Sequence, residues 1–196
     1  EAIAVAKQLG EKVIILGTSH GGVLSLCLGT DPNIVAICLF GPNIEVFDPF
    51  AKLLSKPWGL QLARIVRGDK YHYMNNISEK KKNYWTAKIR LESTLHMQKL
   101  LDIKMKNATF KKIKTPVFLG YYYKNDSLQD KVVSVPAMLK MFDQLGTPKE
   151  LKVKKAFSQA SDHVITSYLS NENYNEVIDE VLRFLEDKLE LKYVQN

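Results

Sequence analysis

Four residues have types and spacing that could do chemistry: a serine set between glycines, a histidine in a polar loop far along the chain, and two aspartates between them. The serine is Ser19, in Gly17-Thr18-Ser19-His20-Gly21. The histidine is His163, in Ser161-Asp162-His163-Val164-Ile165, and the aspartates are Asp126 and Asp130, in Asn125-Asp126-Ser127-Leu128-Gln129-Asp130. A serine hydroxyl is a weak nucleophile until a base takes its proton. An imidazole serves as that base when a carboxylate holds its tautomer and stabilises the imidazolium. Taken in the order serine, acid, histidine, these groups suit acyl transfer through a covalent acyl-enzyme that water releases.

The five-residue pattern alone is weak, because three fixed residues of ~7% usage each produce it by chance in roughly one chain of this length in fifteen. Its setting strengthens it. Residues 13–16, Val-Ile-Ile-Leu, are a short β-branched run that ends at Gly17, as a strand buried on both faces would. Val-Leu-Ser-Leu-Cys-Leu-Gly follows and predicts a helix ending at Gly29, with Asp31-Pro32 beyond it. A serine in the turn between such a strand and helix is held in a strained conformation and exposed at the carboxyl end of a sheet. A side chain at either flanking glycine is expected to collide with the neighbouring strand or helix. The alternative is that Gly17, Gly21 and Gly22 only permit close strand-helix packing. The backbone N–H of His20 would face the oxyanion that forms in acyl transfer, and the residue itself is better suited to shaping that pocket than to acting as base. His72 and His96 fall elsewhere, in a stretch of different character.

The acid has two candidates. Counting from the start of the preceding strand favours Asp126, and counting back from the next helix favours Asp130, where Asp-Lys-Val-Val leads into it. Asp130 is the preferred choice, with Asp126 kept open.

The elements that must hold these groups follow a simple order. Residues 1–10 read as an amphipathic helix, and residues 34–40, Ile-Val-Ala-Ile-Cys-Leu-Phe, as a second fully apolar strand stopped by Gly41-Pro42. Two such strands joined through a helix form a βαβ unit, hence parallel strands. Residues 43–114 change to helix-like segments with Trp58, Tyr71, Tyr73, Tyr84 and Trp85, an inserted helical region whose aromatics, Trp58 among them, could cover a substrate. Strand character returns in residues 117–123 after Thr115-Pro116. A helix over 135–145, an edge-type strand over 150–156 and a terminal helix with Val177, Val181 and Leu185 at helical spacing complete the chain.

Composition narrows the function classes. The 196 residues are 45% hydrophobic, enough for one substantial core, and no run approaches the ~20 apolar residues of a membrane span. The net charge of +7 raises nucleic acid or an anionic membrane as partners, yet the lysines are spread and predict a solvated basic surface. Cys27 and Cys38, both in apolar runs, read as small buried thiols that form neither a disulfide framework nor a metal site. The absence of a visible signal segment favours the cytoplasm.

With the elbow around Ser19, Asp126 or Asp130, His163 and this element order, the chain resembles the α/β-hydrolase superfamily, most nearly its bacterial esterases, lipases and peptidases with a helical cap. The resemblance implies an α/β fold with a mostly parallel sheet flanked by helices. Residues 1–42 and 115–196 would form the core and residues 43–114 a cap. It also implies a Ser19-Asp130-His163 triad, a small-molecule acyl substrate, and neither cofactor nor metal. A non-catalytic binding protein, or an acyltransferase or peptidase on the same triad, is the competing expectation. The front of the chain departs from the family: its first four strands are absent, and with them the loop that supplies the second oxyanion N–H. The missing half is expected as further or companion chain, because an apolar strand edge should not face water.

Overall fold

The computed structural model describes residues 1–74 and 79–191. They form two compact units, one made of residues 1–47 and 105–191, the other of Asp48–Lys104.

The larger unit opens with helix α1 (Ala2–Leu9), strand β1 (Val13–Thr18), helix α2 (His20–Leu28) and strand β2 (Ile34–Phe40). Every residue of β1 pairs in parallel with β2, so the chain crosses over through α2 to form the expected βαβ unit. The smaller unit comes next. It contains a 3₁₀ segment (Pro49–Ser55), α3 (Gly59–Arg67), β3 (Tyr71–Tyr73), α4 (Glu79–Lys82), β4 (Lys88–Arg90) and α5 (Leu91–Lys104). The larger unit resumes with α6 (Asn107–Phe110), β5 (Val117–Tyr121), α7 (Val135–Gln144), β6 (Lys152–Ala156) and α8 (Tyr174–Leu189).

The four long strands form one parallel sheet in the order β1-β2-β5-β6. Alternation along β2 sends Ile37 and Leu39 to one face and Ala36, Cys38 and Phe40 to the other, and β5 does the same with Val117 and Leu119 against Phe118. Leu26 of α2 and Met138 and Met141 of α7 cover the first face, while Val177, Val181 and Phe184 of α8 cover the second. Two apolar clusters therefore sandwich the sheet, and both central strands are buried on each side, which is why they are uninterrupted apolar runs.

Several expectations are corrected. β1 is not buried throughout: Leu16 is 62% exposed, because among the described residues β1 has a strand neighbour on one side only. The smaller unit is not all helical, since β3 and β4 pair antiparallel, with His72 opposite Ile89. Strands of three residues are too short to leave a period in sequence. Glu150 lies in a 3₁₀ turn ahead of β6, and Cys27 is only half-buried whereas Cys38 is buried.

Residues 43–47 and 105–114 group with the larger unit for visible reasons. Val46 bridges Val133, Ser134 N–H donates to Glu45 O at 2.8 Å, and Ile113 is fully buried in the core. No helix among the described residues is long and apolar enough to cross a membrane.

Candidate active site

The strand ends set the geometry. Ser19 follows β1 directly, and its backbone lies at φ 54°, ψ −118°, a conformation that costs a non-glycine residue of order 1–3 kcal/mol. The surroundings hold it there. Its N–H donates to Phe40 O at 2.9 Å, and its carbonyl accepts from the N–H of Gly22 and of Asn43, each at 3.0 Å. The end of β2 and the turn after it thus grip both sides of the Ser19 backbone, and α2 begins at once with His20.

Close approach explains two of the glycines. A Cβ at Gly17 would run into Ser25 Oγ and lie 2.8 Å from Gly21 O, and one at Gly22 would lie 2.7 Å from Pro42 Cβ. The expectation for the second flanking position is corrected, because a Cβ at Gly21 meets nothing within 4 Å. The tight contact sits one residue later, where α2 crosses the turn after β2.

His163 and Asp130 come together at the carboxyl end of the same sheet. His163 Nδ1 donates to Asp130 Oδ2 at 2.6 Å, and Asp130 is 1% exposed. Its other oxygen, Oδ1, accepts from the N–H of Val132 at 2.8 Å and of Val133 at 3.1 Å, which fixes the carboxylate plane. The opposite ring nitrogen, His163 Nε2, is buried and makes no hydrogen bond among the described residues. A histidine whose Nδ1 is held by a carboxylate while Nε2 stays open is set up to accept a proton at Nε2.

Asp126 goes elsewhere. It is exposed and accepts from Tyr123 Oη at 2.8 Å. Residues 124–129 form a side excursion that closes on itself: Asn125 Oδ1 accepts from the N–H of Ser127 and Leu128, Tyr123 bridges Gln129, and Asp130 N–H returns to Tyr122 O at 3.2 Å. Asp130 is therefore next to the strand end in space although it lies nine residues after Tyr121 in sequence.

The other histidines and Trp58 belong to other elements. His20 Nδ1 is buried without a hydrogen bond among the described residues, and burial holds its imidazole below the ordinary histidine value. His72 is in β3 and His96 in α5, both in the smaller unit. Trp58, also in the smaller unit, has its ring largely in solvent. Among the described residues no cluster of three or more His, Cys, Asp or Glu side chains could hold a metal ion.

No protein-family model matches the chain, and no curated protein does. Solved structures do. A structure from work on two metagenome-derived lipolytic enzymes, LipS and LipT, superposes with a TM-score of 0.72 at 14% identity, over 94% of this chain and 69% of that one. A monoacylglycerol lipase from Paleococcus ferrophilus gives 0.64 at 15% identity over 93% and 73%, and a thermostable carboxyl esterase from Bacillus coagulans 0.63 at 12% over 96% and 68%.

The chain has the α/β-hydrolase fold.

Within this α/β-hydrolase fold, two residues that shape the surroundings of the His163–Asp130 pair left little mark in the sequence. Gly41 ends β2 at φ 49°, and a Cβ there would lie 3.2 Å from both Cε1 and Nδ1 of His163 and 3.4 Å from Asp130 Oδ2. A glycine is needed both for that backbone and for the room the pair occupies. Asn171 is 2% exposed and donates through Nδ2 to Ile165 O at 2.7 Å, which ties down the loop that carries His163. Gly41 showed in sequence only as a strand stop before Pro42, and nothing marked Asn171.

Proposed function

We propose that the chain is a serine hydrolase acting on a carboxylic ester or related acyl compound, with Ser19 as nucleophile, His163 as base and Asp130 as its orienting acid. The observation that carries this reading is the 2.6 Å pair of His163 and Asp130, with Nε2 left open, at the sheet end where Ser19 sits in its strained turn. The structural likeness to lipases and esterases supports the same class of reaction.

In the first step Ser19 Oγ attacks the acyl carbonyl as His163 Nε2 takes its proton, and the Asp130 carboxylate stabilises the imidazolium through Nδ1–H. The N–H of His20, at the start of α2, lacks an intrahelical carbonyl by its position and is available to the oxyanion. The imidazolium then returns the proton to the leaving group. Water, deprotonated by the same imidazole, attacks the acyl-enzyme and regenerates Ser19.

The test is a p-nitrophenyl ester panel of increasing acyl length, run on the wild-type chain and on Ser19→Ala. Hydrolysis that falls by roughly 10³-fold or more in Ser19→Ala supports the reading. Equal turnover by both, or none by the folded wild type on any ester, overturns it in favour of a binding role for the same scaffold.

A further inference from the structure

Helix α3 is apolar on its outside. Leu62, Ile65 and Val66, spaced to share one face, are all exposed, Ile65 at 76% and Val66 at 85%. The opposite side of the helix carries Arg64, whose guanidinium donates to the part-buried Glu92. A surface helix ordinarily turns the other way, its apolar stripe inward and its charges outward. The segment before it also exposes large apolar side chains: Trp58 is 74% exposed, and Phe50 and Leu53 are exposed as well.

The patch is preformed. A Cβ at Gly59 would strike the carbonyl of Leu53, so α3 and the 3₁₀ segment are packed backbone to backbone, and Asp48 caps that segment by accepting from Phe50 N–H at 2.9 Å. Trp58 has a left-handed backbone (φ 64°) at the junction of the two. Scattered single apolar residues on a surface are ordinary, but six large exposed ones within residues 50–66 are not.

Charge selects the occupant. Apart from Arg64, which is paired with Glu92, residues 48–70 contain four basic side chains, Lys52, Lys56, Arg67 and Lys70, against two carboxylates, Asp48 and Asp69. Both carboxylates are bound to backbone N–H groups, Asp48 to Phe50 and Asp69 to Lys70 and Tyr71. An apolar helix face with an exposed tryptophan and an excess of cations in the same segment is complementary to an anionic headgroup layer over acyl chains. Acyl chains take up the aliphatic side chains, the headgroup boundary takes the indole, and anionic phosphates take the cations. We propose that Phe50, Leu53, Trp58, Leu62, Ile65 and Val66 form a docking surface for an anionic lipid-water interface.

The test is co-sedimentation of the full chain with vesicles, phosphatidylcholine alone in one arm and phosphatidylcholine mixed with phosphatidylglycerol in the other. It reads binding and stands apart from any activity of Ser19. The wild type is expected to bind the anionic vesicles more strongly, and binding falls as salt rises. Ile65→Ser combined with Val66→Ser should weaken binding roughly tenfold or more while leaving the melting temperature unchanged, since both side chains are exposed. Lys56→Glu with Arg67→Glu should remove the preference for the anionic arm. No binding to either vesicle, or equal binding by the wild type and the Ile65→Ser, Val66→Ser variant, overturns the proposal. So does a stable wild-type dimer that these substitutions dissociate without any effect of lipid, which would make the patch a contact between two copies of this chain.

Discussion

Asp130 Oδ2 lies 2.6 Å from His163 Nδ1, and the two residues reach each other across 33 positions of sequence because β5 and β6 run parallel and the loops that follow them leave from the same carboxyl end of the sheet. The neighbouring Asp126 points away and serves Tyr123. Asp130→Asn should therefore lower kcat for ester hydrolysis by roughly 10⁴-fold, through loss of the imidazolium partner and of the correct tautomer. Asp126→Asn should change it by less than about threefold. Steady-state kinetics on both variants separates the two carboxylates.

How far this was legible in the sequence depends on the kind of signal. The strands β2 and β5 were plain because burial on both faces makes an unbroken apolar run of Ile34–Phe40 and Val117–Tyr121. The turn that carries Ser19 and the loop that carries His163 were legible because a strand-to-helix turn and a loop after a late strand are local features. Which aspartate pairs with His163 was legible only as a preference for Asp130, because the side excursion of residues 124–129 closes through Asn125 and Gln129 contacts that no period encodes. Gly41 was missed for a related reason: what its lack of a Cβ makes room for is His163, brought in from 122 residues away.

Gly41→Ala tests that room directly. The new methyl would press on the His163 ring at 3.2 Å and would sit on a left-handed backbone. Displacing the imidazole should lower kcat by roughly 10–10²-fold with KM little changed. A fall in KM-limited binding with kcat intact would show that Gly41 acts elsewhere.

Glu92 predicts an acid-range effect. Its own backbone N–H and then the Arg90 and Arg64 guanidiniums hold its carboxyl down to about 2, from an ordinary value of 4.5. A carboxylate depressed on folding stabilises the folded state above the unfolded value and loses that contribution as pH falls through the folded one. Thermal unfolding should therefore show wild type more stable than Glu92→Gln at pH 7. The difference should shrink as the pH is lowered from 4.5 toward 2.

Cys38 should be chemically silent. It is fully buried in β2, and burial pushes its thiol up to about 12, so almost no thiolate exists near neutral pH. Iodoacetamide at pH 8 is expected to leave Cys38 unmodified in the folded chain and to alkylate it once the chain is denatured, as read by peptide mass mapping. Modification at equal rates in both states would contradict the buried placement.

The central claim is that Ser19 is an activated nucleophile, and a fluorophosphonate probe tests it without any choice of substrate. Incubation of the intact wild-type chain with the probe should give a single adduct, mapped by tandem mass spectrometry to Ser19, with labelling slowed strongly in His163→Ala. An unlabelled Ser19 in folded protein, or an adduct that forms at the same rate without His163, would contradict it.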